Sequence, residues 1–84
     1  MKLFKLTRPE NKRADYGDYD CCVVVALDEE DARTIHPNEE MEKPEERACY
    51  DYSWINPEDV IVQFLGEATP EIPRGVIVAS GFDL

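Results

Sequence analysis

Seventeen residues, Cys21–Pro37 (CCVVVALDEEDARTIHP), constrain the fold more than any other part of the chain. They pass from an apolar run through a helix start and a short helix to a stop. Cys21 to Leu27 carry no charge, and Val23, Val24 and Val25 are consecutive β-branched residues. Such a run suits a strand buried on both faces, because β-branched side chains are stiff and fit the pleat. It predicts a central strand over Cys22–Leu27. Asp28 has the short carboxylate that caps a helix by accepting a backbone N–H two or three residues on. Glu29, Glu30 and Asp31 then put negative charge where the helix dipole favours it. Leu27 and Ala32 are spaced for a hydrophobic staple across the cap. Ala32, Ile35 and His36 fall on one helical face, and Pro37 ends the helix by excluding the α region at the residue before it. A helix of about two turns is not stable alone in water, so it must dock on the sheet.

The rest of the chain supplies that sheet. Lys2–Arg8 (KLFKLTR) alternates polar with apolar and reads as a half-buried strand ended by Pro9. Pro9–Asp20 is a loop of Pro, Asn, Gly and Asp. Asn38–Arg47 is almost wholly charged and reads as a surface loop, and Cys49–Trp54 (CYDYSW) as a short strand. Asn56–Asp59 is a turn and Val60–Leu65 (VIVQFL) a strand, with Val60, Val62 and Phe64 on one side and Ile61 and Leu65 on the other. Gly66–Gly75, with two glycines and two prolines, connects to a last strand over Val76–Ala79. The expected fold is α+β: a single domain over residues 1–84, with a three- to four-stranded, mainly antiparallel sheet, one short helix on one face and the order β-β-α-β-β. Strand order does not follow from the pattern. Two open sheet edges leave room for a homodimer.

Charge bounds the function. The 84 residues carry a formal net charge of −10. Residues 1–13 hold five basic residues against Glu10, a net of +4, whereas residues 28–46 hold nine acids against Arg33 and Lys43, a net of −7. An acidic surface of this kind repels nucleic acid and anionic membrane, and suits a basic protein partner. No apolar run reaches the length of a membrane span, and MKLFKLTR is too short and too alternating for a signal peptide. Three cysteines, an odd number without paired spacing, fit reduced thiols better than a disulfide framework. These features point to the cytoplasm.

Catalytic and metal chemistry finds little support. Cys21, Cys22, His36 and Cys49 are zinc-ligand types, but no CxxC or HxxxH spacing occurs, and adjacent strand residues point to opposite faces. A nucleophile would be Cys49 or Cys22 activated by His36, the lone histidine, which sits before a proline and reads more simply as a helix C-cap. The glycines are isolated, so there is no phosphate-cradling loop. No cofactor or metal is expected. The alternative to a binding protein is a minimal Cys/His-dependent enzyme or small-ligand-binding domain.

Two segments interleave aromatics with acids: Tyr16-Gly-Asp-Tyr-Asp20 and Tyr50-Asp-Tyr-Ser-Trp54. Tyrosine and tryptophan give large contact area at low entropy cost and are frequent interface anchors. Tyr16, Tyr19, Asp20, Tyr50, Asp51, Tyr52 and Trp54 are therefore candidate anchors. Glu39, Glu40, Glu42, Glu45 and Glu46 are candidate steering charges. The competing reading has Trp54 and some of the tyrosines closing a thin core.

Taken together, LTR at residues 6–8, YGDYD at 16–20, VVVALDEEDARTIHP at 23–37, WINPEDVIVQFLGEA at 54–68 and GVIVAS at 75–80 resemble a family of small uncharacterised proteins from actinobacterial phages and their hosts. The resemblance covers most of the chain, with ARTIHP and LGEA…GVIVAS its most specific parts. It departs at the end, where the family runs into Phe-Asn-Ala-Gly and this chain has Gly-Phe-Asp-Leu84. The family has no assigned activity, so the resemblance hands over no catalytic residue. It implies a phage-type accessory protein that binds a host protein, in the host cytoplasm.

Overall fold

A computed structural model describes residues 1–14, 18–38 and 54–81. The elements are β1 (Lys2–Thr7), β2 (Tyr19–Ala26), α1 (Glu29–Arg33), β3 (Ile61–Glu67) and β4 (Gly75–Gly81), with short 3₁₀ turns at Glu10–Lys12 and Pro57–Asp59. The strands form one sheet in the order β3-β1-β2-β4, and every pairing is antiparallel. The expected α+β fold is what forms. The first two strands make the centre, and the last two lie at opposite edges. β2 and β3 run in the same direction with β1 between them.

The pleat divides the sheet into two faces. Phe4 and Leu6 of β1, Cys22, Val24 and Ala26 of β2, and Val60 before β3 pack with Ala32, Ile35 and Trp54 into a single core. Val62, Val76 and Ala79 border it. The register keeps partners together: Leu6 stands opposite Cys22 on one side and Val62 on the other, and Cys22 opposite Ala79. The opposite face carries Leu3, Lys5 and Thr7 of β1, Cys21, Val23 and Val25 of β2, Ile61 and Gln63 of β3, and Val78 and Ser80 of β4, in matching register. No helix covers that face among the described residues.

Several expectations are corrected in detail. The central strand starts at Tyr19 and ends at Ala26. Leu27 lies beyond it and is 65% exposed while Ala32 is buried, so there is no hydrophobic staple. Polar bonds hold the helix start instead. The Asp28 carboxylate accepts the Asp31 N–H at 2.8 Å, and the Asp31 carboxylate accepts the Leu27 N–H at 3.0 Å.

The helix has five residues rather than two turns. The Thr34 hydroxyl donates to the Asp31 carbonyl at 2.7 Å, and Ile35 N–H bonds Ala32 at 3.1 Å in a tightened last turn. Pro37 forbids continuation. Ile35 and His36 are still buried, now from the segment after the helix.

β3 and β4 each run past their expected ends, to Glu67 and from Gly75 to Gly81. Phe64 is 56% exposed despite its core-side register. It lies on an edge strand at a bulge, with its ring edge-on to that of Phe4, centroids 5.8 Å apart. The expected strand at Cys49–Trp54 and most of the acidic loop at Asn38–Arg47 lie outside the described residues.

Two arginines fasten the helix to the edge strands. Arg33 donates to the Val60 carbonyl at 2.7 Å and pairs with Glu29 at 3.0 Å. Arg74, just before β4, pairs with Asp31 at 3.0 Å. Hydrogen bonding to Arg74 holds the Asp31 carboxyl below its ordinary value, outweighing the upward push of partial burial, with the Leu27 N–H and the charge of Arg74 adding to the downward shift.

A carboxyl depressed in the folded state stabilises the fold above the ordinary carboxylate pKa of about 4, and that contribution is lost as pH falls below it. Replacing Asp31 by Asn should therefore cost about 1 kcal/mol at pH 7. Urea midpoints of the two proteins should converge as the pH is lowered through that range. A gap that persists undiminished at the acid end would show that Asp31 acts through something other than its charge.

Candidate interaction surface

The predicted anchors separate into three groups. Tyr16, Tyr50, Asp51 and Tyr52, with the steering residues Glu39, Glu40, Glu42, Glu45 and Glu46, lie outside the described residues. Tyr19 and Asp20 sit at the start of β2, where the register with β4 shifts by one residue. Such a shift unpairs one residue and re-aims its neighbours. Asp20 is exposed there. Tyr19 is half-buried against the core, its ring edge-on to His36 with centroids 6.1 Å apart.

Trp54 falls on the other side of the choice. Its indole is 6% exposed and belongs to the core. It therefore closes the core instead of offering a surface anchor, and its buried Nε1–H finds no acceptor among the described residues.

Sequence reasoning missed Arg8, which organises this end of the sheet. Its guanidinium carbon lies 5.4 Å from the centre of the Trp54 ring, within cation–π range. Its Nε donates to the Tyr19 carbonyl at 2.6 Å and its Nη1 to the Lys12 carbonyl at 3.2 Å. One side chain thus joins the end of β1, the turn after it, the start of β2 and the indole. The only sequence signal was a basic residue directly before Pro9, where a strand ends.

His36 does not cap the helix as expected. Its Nδ1 accepts the Asn38 N–H at 2.9 Å, and the ring is buried. The Nδ1 position is therefore unprotonated. The same geometry occupies the nitrogen that would have served as a base. The cysteines divide as the pleat requires: Cys22 is buried in the core, and Cys21 is half-buried on the other face. Burial, with a smaller contribution from neighbouring Cys21, pushes the Cys22 thiol up to about 12. At neutral pH it is a thiol, not the nucleophilic thiolate. Cys49 lies outside the described residues. Among the described residues no group of three or more His, Cys, Asp or Glu side chains is assembled to hold a metal ion, and no helix is long and apolar enough to cross a membrane.

No family model matches the sequence, and comparison with curated proteins and with solved structures gave no match.

Proposed function

We propose that this chain is a non-catalytic binding module: a small acidic accessory protein of the phage type its sequence resembles, acting in the host cytoplasm on a host protein with a basic surface. The observation that carries this reading is the direction of its cations. Arg8, Lys12, Arg33 and Arg74 all bond groups of the chain itself. Acids such as Asp20, Glu30, Glu58 and Glu71 are exposed or border solvent. Lys2, Lys5 and Arg13 are exposed as well, but the net charge of −10 leaves acids in excess, which steers a basic partner and keeps nucleic acid away. The protonated state of Cys22 and the occupied Nδ1 of His36 favour binding over the Cys/His enzyme reading.

Capture from host lysate at low and at high salt tests it. The expected result is one stoichiometric basic protein that elutes as salt rises. With that partner in hand, changing Glu39, Glu40, Glu42, Glu45 and Glu46 together to Lys should lower the association rate by about 10-fold or more at low ionic strength. It should leave the dissociation rate nearly unchanged. An association rate indifferent to the change would sink the steering role. A partner lost when the thiols are alkylated, in protein that remains folded, would favour the enzyme reading.

A further inference from the structure

Exposed apolar side chains and unpaired acids meet at one end of the sheet. β1 and β4 begin there and β2 and β3 end there: Lys2 stands opposite both Ala26 and Glu67, and Val25 opposite Gly75. Met1 and Leu27, one residue outside those pairs, are 42% and 65% exposed. Because β3 and β4 are opposite edges, residues 68–74 cross this end to join them.

The crossing is pinned on both sides. Ala68 N–H bonds the Met1 carbonyl at 3.0 Å, and Arg74 pairs with Asp31 at 3.0 Å. Between them Ile72 N–H closes a turn on the Thr69 carbonyl at 3.1 Å, and Pro70 and Pro73 fix their own φ. Asp31 also holds the Leu27 N–H at 3.0 Å. Met1 and Leu27 thus project from a tied frame, and a partner that docks on them has little backbone to order.

Charge selects the partner. Asp28 follows Leu27, Glu30 lies in the first turn of α1, and Glu67 and Glu71 flank the start of the crossing. All four are exposed, and none makes an ion pair among the described residues. Lys2 and the Met1 amine stand against them, while Arg74 is engaged by Asp31. The opposite end of the sheet carries Arg8, Lys12 and Arg13. The other large apolar side chains that meet water, Ile61, Phe64, Leu65, Ile77 and Val78, lie along β3 and β4, whose one carboxylate is Glu67 at this same end.

We propose that this end, with Leu27 as its anchor, docks a segment that carries an apolar residue between lysines or arginines. This rests on the basic-partner reading above and names the surface through which it acts. An apolar centre in a charged rim is the form such sites take. The segment's apolar residue covers Leu27 and Met1 while its flanking cations meet Asp28, Glu30 and Glu71. A wholly apolar segment would leave those carboxylates desolvated and unpaired, and an acidic one would be repelled.

Titration of isotope-labelled protein with a short synthetic peptide of alternating leucine and lysine, followed by amide chemical shifts, tests it. Two companion peptides replace leucine by serine or lysine by glutamate, and circular dichroism establishes that each protein variant is folded. The leucine–lysine peptide should shift the amides of Leu27, Asp28 and Glu71 first. The serine companion should bind at least about 10-fold more weakly, and the glutamate companion not at all. Leu27→Ser should weaken the leucine–lysine peptide at least about 10-fold. Glu30→Lys combined with Glu71→Lys should do the same, with the larger loss at low salt. Ile61→Ser and Glu58→Lys, at the other end of the sheet, should change binding less than about 2-fold. Shifts that centre on another surface, residues 39–46 included, overturn this site and leave the basic-partner reading standing, as does binding indifferent to Leu27→Ser. A serine companion that binds as tightly as the leucine one also overturns the site, because charge alone is then enough. No binding of either basic peptide overturns both.

Discussion

Replacing Trp54 by Ala should destabilise the protein by about 3–5 kcal/mol, enough to remove most of the stability of a domain this small. The indole is almost fully buried among core residues, so its loss leaves a cavity that a thin core cannot collapse to fill. It also removes the ring under Arg8, which is worth about 0.5–1 kcal/mol at a partly exposed site. Trp54→Phe separates volume from polarity. The buried Nε1–H has no acceptor among the described residues, so its removal relieves an uncompensated desolvation and offsets part of the lost volume. Urea denaturation should rank Phe close to the wild type and Ala far below. A surface anchor would behave in the opposite way, with both variants stable and partner binding lost. Stability of the Ala variant within 1 kcal/mol of the wild type would return Trp54 to the surface.

Leu6→Ala should cost about 2–5 kcal/mol. Leu6 is fully buried on a central strand, with Cys22 and Val62 as its cross-strand partners. Strands on both sides pin its backbone, so the void cannot be filled by a strand shift. The same truncation at Val78, exposed on the β4 edge, should change stability by less than about 0.5 kcal/mol. A small loss at Leu6, measured by the same denaturation, would mean that the sheet centre lies elsewhere.

How far the fold could be read in advance depended on how local its determinants were. The cap at Asp28, the acids of the first helical turn and the stop at Pro37 are signals within a few residues, and the helix forms between them. Its early end was harder to see, because it depends on the Thr34 hydroxyl reaching the Asp31 carbonyl. The alternation in KLFKLT announced β1. In β2, three successive valines mark a strand but not which of them faces the core. That is settled by pairing with β1 and β4, between residues far apart in the chain.

Strand order was illegible for the same reason, since uncharged β-branched strands accept many neighbours. Tyrosine, aspartate and tryptophan look alike as anchors in CYDYSW. What distinguishes Trp54 is Arg8, 46 positions earlier in the chain, and no window of sequence contains both.

The sheet order also fixes when the fold can exist during synthesis. The first hairpin to leave the ribosome, β1 with β2, is the centre of the finished sheet, and both its outer edges wait for partners. β1 receives β3 only after residue 67 is made, and β2 receives β4 only after residue 81. Until then the nascent chain offers two unsatisfied ladders rich in valine and leucine, the condition in which strands capture one another between molecules. Pairings this distant in sequence are slow to find. β4 therefore acts as a latch: a chain released before Gly75 would hold three strands, β3-β1-β2, with a raw Val23–Val25 edge.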